Sequence, residues 1–375
     1  MYYQKNNPHG GADPKRVTLD FSASVNPLGT PESVREAARS ALEWADCYPD
    51  PGCLDLARGI AEAEGLPETA VLCGNGASEL IYAYCAAVKP GRAMELAPTF
   101  SEYAAALAVQ GCCPRRFELR KEKNFLPDAA FLKELRAYRP DVLFLCNPNN
   151  PTGRLIPPAL AEEILSLCRE NGIRLFLDES FLELSDWELT EERERREEER
   201  KKREQGESLK TRLMKFPGLF LLRSFTKSHA MAGLRLGYGL SMDAALLERM
   251  SALTPPWTVS IVAQAAGIAA LQEREFPRKA RELIRVERLW LREALERLGF
   301  WVCPSEANFL LFQGPPDLGA RLARRGIAVR ECGNFPGLGR GWYRIAVRNH
   351  RENERLIAAA AAIITKGEAL EWPSS

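Results

Sequence analysis

The chain has 375 residues, of which 46% are hydrophobic and 27% charged, and its formal net charge is +1. This length can bury a large core and favours two domains over one. The near-neutral charge implies no basic face for nucleic acid, and no apolar run is long enough to cross a membrane. The start of the chain, Met1-Tyr2-Tyr3-Gln4, is too polar for a signal peptide. We therefore expect a cytoplasmic protein without nucleic-acid or membrane partners.

The ten cysteines are scattered along the chain, and several of them, such as Cys85, Cys146 and Cys168, lie in apolar runs. None shows the C-x-x-C spacing of a metal site, so we expect no bound metal. This pattern is typical of core cysteines in a reducing compartment rather than of a disulfide framework.

Short apolar runs alternate with amphipathic segments through the first two thirds of the chain. We predict helices over 31–44, 54–64, 101–109, 159–170, 242–253, 260–272 and 277–298, and strands over 93–97, 142–146, 173–178 and 219–222. Thr30 is the expected N-cap of the first helix, with a proline at its first position. This alternation indicates βαβ units and an α/β fold, with a mostly parallel sheet and sites at the carboxyl ends of its strands.

A glycine-rich turn follows an apolar run at 71–74 and precedes a helical pattern that begins near Ala77 and Ser78. Such a turn directs backbone N–H groups and a helix N-terminus at a bound anion. On its own the glycine spacing is weak evidence for a site.

The segment after the buried strand at 219–222 contains Ser224, Thr226 and Lys227, with Arg235 eight residues further on. A lysine at the exit of a buried strand loses hydration, which lowers its pKa and makes it a candidate nucleophile for a carbonyl group. The two hydroxyls and the arginine suit a phosphate monoester. An isolated lysine of this kind is more often a surface residue, so the case depends on the surrounding pattern.

That pattern, Ser224-Phe-Thr-Lys followed by Gly233-Leu-Arg-Leu-Gly-Tyr, resembles the cofactor-lysine segment of fold type I pyridoxal-phosphate enzymes in the histidinol-phosphate aminotransferase-like branch. The strand-end Asp178 and the turn Asn150-Pro-Thr-Gly153 support the resemblance. It implies a large domain with a mostly parallel seven-stranded sheet between helices and a small α+β domain formed by both chain ends. It also implies that Lys227 bonds to pyridoxal 5'-phosphate and that Asp178 pairs with the protonated pyridine nitrogen.

The same resemblance assigns further cofactor contacts. Asn150 is expected to bond the phenolic oxygen of the cofactor, and Phe100 to stack on its ring. The phosphate is expected to be bound by Gly76, Ala77, Ser78, Ser224, Thr226 and Arg235. Phe181 departs from the pattern, since many relatives have a tyrosine there that donates to the phenolic oxygen.

Several further segments carry a narrower resemblance: His9-Gly-Gly11, the run from Asp20 to Gly29, Pro256-Trp257, and the stretches around Arg330 and Arg344. They are similar to threonine-phosphate decarboxylases, the cobalamin-pathway members of this branch. The similarity implies decarboxylation of L-threonine O-3-phosphate to (R)-1-amino-2-propanol O-2-phosphate, with His9, Asn26, Arg330 and Arg344 binding the substrate. The alternative is an aminotransferase acting on a phosphorylated amino acid or amino alcohol such as histidinol phosphate. A ligand-sensing module without catalysis is a third, weaker interpretation.

Tyr48 matches a tyrosine that, in the resembling family, reaches the cofactor phosphate of the neighbouring subunit, which implies a homodimer. The expected domains are an N-terminal segment, 1–45, that joins the small domain, a large cofactor-binding domain, 46–280, and a small α+β domain, 281–375. A charged helical insertion is expected at 188–212, where 191–207 carry 8 acidic and 7 basic residues. Acid-before-base pairs four residues apart favour a solvated surface helix over a partner-binding arm.

Overall fold

The computed structural model describes residues 10–365, apart from 13, 14, 16, 188–212 and 214. The expected charged insertion and His9 therefore lie outside the described residues. None of the described helices combines the length and apolar character that spanning a bilayer requires.

The described elements alternate as the sequence predicts. The strands are β1 (Leu19–Asp20), β2 (Val71–Gly74), β3 (Ala93–Ala97), β4 (Arg115–Glu118), β5 (Val142–Cys146), β6 (Arg174–Asp178), β7 (Leu219–Ser224), β8 (Gly237–Leu240), β9 (Trp301–Val302), β10 (Phe309–Gln313), β11 (Ile327–Ala328), β12 (Arg330–Glu331) and β13 (Trp342–Ala346). The helices are α1 (Glu32–Ala41), α2 (Leu54–Glu64), α3 (Ala77–Val88), α4 (Glu102–Val109), α5 (Ala129–Tyr138), α6 (Pro158–Glu170), α7 (Phe225–Ser228), α8 (Ala244–Leu253), α9 (Ile261–Gln272), α10 (Phe276–Arg297), α11 (Leu318–Ala323) and α12 (His350–Ile364).

The large sheet has seven strands in the order β2-β8-β7-β6-β5-β3-β4. Strands β3 to β7 pair in parallel, whereas β8 is antiparallel to both β2 and β7. The side chains of β5 and β7 are buried along their whole length, as expected for parallel strands covered on both faces. This sheet confirms the predicted fold class.

One face of the sheet carries an aromatic cluster that fixes the helices above it. Tyr84 from α3 and Tyr103 from α4 pack on Phe144, Phe176 and Phe220 from three neighbouring strands. Large buried rings of this kind supply much of the apolar area that stabilises a core. The cluster thereby holds α4 over the carboxyl end of β6.

The small domain joins the two ends of the chain. Strand β1 pairs in parallel with β11, and the order β12-β13-β10-β9 forms a separate four-stranded sheet. Helices α11 and α12 cover this region together with α10. The start of the chain thus becomes part of the C-terminal region, as the fold class implies, while the exact domain boundaries stay a prediction.

Two details correct the sequence analysis. Thr30 does not cap α1, because Pro31 is the N-cap residue and the Thr30 hydroxyl donates instead to the carbonyl of Ala230 at 2.9 Å. The strand-like run at 327–330 is split between two sheets, since β11 pairs with β1 and β12 pairs with β13. Strands β1, β4 and β8 and helices α5, α7 and α11 were not predicted.

Candidate active site

The lysine segment is built at the end of β7. The strand ends at Ser224, whose side chain accepts a hydrogen bond from the backbone N–H of Thr226 and so caps the short helix α7. The two hydroxyl oxygens, Oγ of Ser224 and Oγ1 of Thr226, lie 2.6 Å apart. Lys227 follows in the same turn.

The N-terminal segment holds this turn from the other side. The backbone N–H of Asn26 donates to the carbonyl of Lys227 at 3.0 Å, and its side-chain amide donates to the carbonyl of Ser228 at 2.7 Å. The amide oxygen of Asn26 accepts from the N–H of Leu28. Asn26 therefore positions the lysine turn, and its predicted contact with substrate stays a prediction.

The ammonium group of Lys227 is partly withdrawn from water. Burial lowers its pKa to about 8, helped by the charges of Arg344 and Arg235 and opposed by Asp178. Nζ lies 5.5 Å from the centre of the Phe181 ring. A substantial share of this amine is neutral near pH 8, as a nucleophile requires.

Asp178 stands at the end of β6 and is only 4% exposed. Its Oδ2 accepts from the hydroxyl of Tyr103 at 2.6 Å, and its Oδ1 accepts from the backbone N–H of Ser180 at 2.9 Å. Burial raises the pKa of this carboxyl, while these hydrogen bonds and the charge of Lys227 oppose the rise. A carboxylate has about four acceptor positions, so Asp178 can still accept a proton donor such as a pyridinium.

An anion cradle lies where three strands meet. Gly237 of β8 pairs with Gly74 of β2 on one side and with Ser224 of β7 on the other. Helix α3 starts beside this point, and its N-cap residue, Gly76, has φ +80° and supplies no side-chain cap. A Cβ atom on Gly76 would lie 2.5 Å from Nη2 of Arg235 and would push the guanidinium out of its observed position.

These features fit the phosphate of the cofactor that the resemblance implies. A helix N-terminus, an arginine and two hydroxyls offer the donors that a phosphate dianion accepts. Ala77 and Ser78 form the first turn of α3. The cradle therefore brings together the predicted phosphate contacts Gly76, Ala77, Ser78, Ser224, Thr226 and Arg235.

The turn at 147–153 connects the cradle side of the site to the small domain. Asn150 accepts, through Oδ1, a hydrogen bond from Nη1 of Arg344. Asn149 donates to the carbonyl of Pro98 at 2.9 Å and accepts from Thr99, which ties this turn to the loop that carries Phe100. Phe100 meets the ring of Tyr103 edge-on, with the ring centres 5.6 Å apart.

Arg330 and Arg344 form a pair of buried cations. They lie directly opposite each other on β12 and β13 and are 8% and 7% exposed. Arg330 donates to Asn334 and to the carbonyl of Glu331, and Arg344 donates to Asn150 and to the carbonyl of Ser22. Within the described part of the chain, neither guanidinium forms an ion pair with a carboxylate, and Nε of Arg344 has no hydrogen-bond partner.

This pairing is electrostatically unfavourable in the absence of an anion. Burial, together with the charge of Arg330, lowers the pKa of Arg344 to about 10. Burial also lowers the pKa of Arg330. Like charges directly opposite on neighbouring strands destabilise a sheet, so an anion bound between the two arginines would remove a large local cost.

The remaining predicted site residues divide into two groups. Tyr48 is 79% exposed, and its ring contacts Trp257 with 4.6 Å between the ring centres. His9 lies outside the described residues.

Sequence reasoning missed Tyr103. This residue lies in the first turn of α4, three residues after Phe100, and that spacing is a signal that could have indicated a shared face.

The seven-stranded sheet with a lysine at the exit of β7 defines a fold type I pyridoxal-phosphate enzyme. The chain belongs to the aminotransferase class I and II family, whose family model matches residues 16–360.

Among curated relatives, the chain is 36% identical to a threonine-phosphate decarboxylase of Salmonella typhimurium, over 96% of this chain and 97% of that protein. It is 31% identical to a histidinol-phosphate aminotransferase of Cupriavidus pinatubonensis, over 91% of this chain and 87% of that protein. Among solved structures, it is similar to the histidinol-phosphate aminotransferase from Clostridium acetobutylicum, with a TM-score of 0.81 and 25% identity. That match covers 93% of this chain and all of the other.

Proposed function

We propose that the protein is a pyridoxal 5'-phosphate-dependent lyase that decarboxylates L-threonine O-3-phosphate to (R)-1-amino-2-propanol O-2-phosphate for cobalamin biosynthesis. The threonine-phosphate decarboxylase relative supports this reaction, because it aligns over nearly the whole of both chains. All ten cysteines are free thiols, which supports a reducing compartment such as the cytoplasm.

The observation that carries the proposal is the buried pair Arg330 and Arg344, which has no carboxylate partner among the described residues. Buried charges are normally paired, so this pair is best explained by an anionic substrate. Threonine phosphate carries both a carboxylate and a phosphate, and its two anionic groups match the two arginines in number. The contacts of His9 and Asn26 with the substrate stay predictions.

The residues around the cofactor have distinct roles in this proposal. Lys227 would form the covalent link to the cofactor, and Asp178 would hold a proton on its pyridine nitrogen, so that the cofactor would supply the electron sink that decarboxylation needs. Asn150 would bond the phenolic oxygen, Phe100 would stack on the ring, and the cradle would bind the phosphate. Arg330 and Arg344 would hold the phosphate, which is remote from the reacting bond, and the carboxylate, which leaves as CO2, and so orient the bond that breaks.

The alternative function is that of an aminotransferase on a phosphorylated substrate such as histidinol phosphate. The relative from Cupriavidus pinatubonensis supports it. Histidinol phosphate has a phosphate but no carboxylate, so in an aminotransferase the second arginine of the pair would serve the carboxylate of the amino donor.

One assay separates the two functions. The purified enzyme with cofactor is incubated with L-threonine O-3-phosphate, and CO2 and the phosphorylated amine are measured. Equal amounts of both products support the proposal. Release of neither, together with conversion of the cofactor to its amine form by an amino donor, would establish the aminotransferase instead.

We also propose that the enzyme is a homodimer in which Tyr48 reaches the neighbouring subunit. Large apolar side chains are exposed on the turn and loop that follow α1, at the start of α2, and at and beyond the end of α8, where such a surface is costly in a monomer. They are Leu42, Trp44, Tyr48, Leu54, Leu253 and Trp257. A symmetric dimer would bury this surface and complete two sites at once.

Complementation tests the shared site. Lys227→Ala and Tyr48→Asp proteins, each inactive alone, are mixed under conditions in which subunits exchange. Recovery of activity supports the proposal, because one of the two sites in the mixed dimer then carries neither change. If labelled subunits exchange and no activity returns, Tyr48 acts within its own chain.

A further inference from the structure

Tyr103 makes a hydrogen bond to Asp178 to which the proposed function assigns no role. It is fully buried on α4, and its hydroxyl donates to Oδ2 of Asp178 at 2.6 Å. The N–H of Ser180 binds the other carboxylate oxygen at 2.9 Å. The two donors approach different oxygens, so together they fix both the position and the rotation of the carboxylate.

We propose that Tyr103 is a positioning residue for Asp178, whose hydroxyl keeps this carboxylate ionised and aimed at the pyridine nitrogen of the cofactor. The inference rests on the proposed role of Asp178. A hydrogen bond from a neutral hydroxyl to a charged acceptor is among the stronger contacts in a buried site. It lets Asp178 stay charged and hold a proton on the ring nitrogen, rather than keep that proton itself.

The groups that face Asp178 agree with this role. Burial, followed by the negative charge of Asp178, raises the pKa of Tyr103 well above its usual value, so the phenol stays a donor. Burial also raises the pKa of Cys146, the neighbouring thiol on β5, which therefore stays neutral. Lys227 supplies the nearby positive charge. Together with the hydroxyl of Ser180, Tyr103 is thus a neutral side-chain donor that lowers the basicity of the carboxylate without competing for its charge.

Tyr84 shows that packing alone does not explain the hydroxyl. Tyr84 and Tyr103 are both fully buried and both contact Phe144 and Phe176. The hydroxyl of Tyr84, however, has no hydrogen-bond partner within the described residues. The two tyrosines therefore share the aromatic cluster and differ in the contact with Asp178, which makes Tyr84→Phe a matched control.

The test uses the full protein loaded with cofactor labelled with 15N at the pyridine nitrogen. In Tyr103→Phe we expect the nitrogen signal to move toward the value of unprotonated pyridine, and the Kd for the cofactor to rise roughly tenfold. Tyr84→Phe should leave both quantities at their wild-type values. Replacement of Tyr103 by 3-fluorotyrosine, a more acidic donor of nearly the same shape, should move the signal in the opposite direction.

The outcomes separate the proposed role of Tyr103 from the proposed role of Asp178. If Asp178→Asn moves the nitrogen signal but neither change at Tyr103 does, the role of Tyr103 is overturned while that of Asp178 stands. A signal unchanged in Asp178→Asn would overturn the proposed role of Asp178 itself. Should Tyr103→Phe fail to fold, the fluorotyrosine protein alone gives the answer, since it retains the hydroxyl and the ring.

Discussion

Arg223 and Arg344 are both buried arginines on strands, yet their surroundings differ in charge. Arg223, on β7, forms ion pairs with Glu179 at 2.7 Å and with Glu64 at 3.2 Å. Tyr238 donates to the same carboxylate of Glu64 at 2.7 Å. Arg344, on β13, is equally buried, but among the described residues it meets amide and carbonyl oxygens and no carboxylate.

The pKa values of the two arginines shift in opposite directions. Burial lowers the pKa of Arg223, but the charges of Glu179 and Glu64 outweigh burial and raise it above its usual value. For Arg344 burial prevails, and the pKa falls to about 10. The comparison teaches that burial of a charge does not identify a binding site, whereas a buried charge without its counter-charge does.

The largest expected effect comes from replacing Arg344, which has no carboxylate partner among the described residues, and it is an effect on catalysis. Arg344→Met should lower kcat/KM for threonine phosphate by roughly a thousandfold, about 4 kcal/mol, because a charged group of the substrate then lies buried without its partner. Steady-state kinetics measure it. The free energy of unfolding should change by less than about 1 kcal/mol, since methionine fills the space without a buried charge. A variant that keeps most of its activity would show that Arg344 does not bind substrate.

Replacing Arg223 should affect the stability of the protein, where replacing Arg344 affects catalysis. Arg223→Met should lower the free energy of unfolding by about 3–5 kcal/mol, because it leaves the carboxylates of Glu179 and Glu64 buried without their cation. Denaturant unfolding of the loaded enzyme, with Arg344→Met as the matched variant, gives the comparison. Equal free energies of unfolding in the two variants would show that the ion pairs of Arg223 with Glu179 and Glu64 do not stabilise the fold.

The site could be predicted from sequence where its chemistry lies in one local pattern. Lys227 and Asp178 each follow a buried apolar run, so their place at neighbouring strand ends follows from the parallel sheet. The similarity to threonine-phosphate decarboxylases also pointed to Arg330 and Arg344 as site residues. It could not show that one buried arginine is neutralised and another is not, because Arg223 and Glu64 are 159 residues apart.

The same limit explains the errors in the fold. The hydroxyl of Thr30 binds a carbonyl 200 residues away, which a local capping pattern cannot reveal. The run at 327–330 has strand-like residues throughout, but its two halves pair with different partners, β1 and β13. Pairing partners depend on the folded arrangement, and the alternation of residues within one run does not encode them.

An intermediate effect is expected from an added anion. Inorganic phosphate at ten times its Kd should raise the free energy of unfolding of the loaded enzyme by about 1.4 kcal/mol, because it binds only the folded state. The cofactor already fills the cradle, so the gain should come from Arg330 and Arg344. Thermal unfolding across a phosphate titration measures it. The gain should disappear in Arg344→Met, and a full gain in that variant would place the phosphate elsewhere.

The smallest expected effect is on the titration of Lys227. The neutral amine is the form that reacts with an aldehyde, so the rate of cofactor uptake by the cofactor-free protein should rise with pH and level off above about pH 8, the pKa that burial and the neighbouring arginines produce. Because the Arg344 charge contributes to that lowering, Arg344→Met should move the midpoint upward, by less than roughly one pH unit, or about 1.4 kcal/mol. Growth of visible absorbance after mixing measures the rate. Arg223→Met, compared at a temperature where it stays folded, should keep a midpoint near the wild-type value, since Arg223 is not among the charges that shift the pKa of Lys227. A midpoint that moves equally in both variants would show that the two arginines do not differ in the field they exert at the lysine.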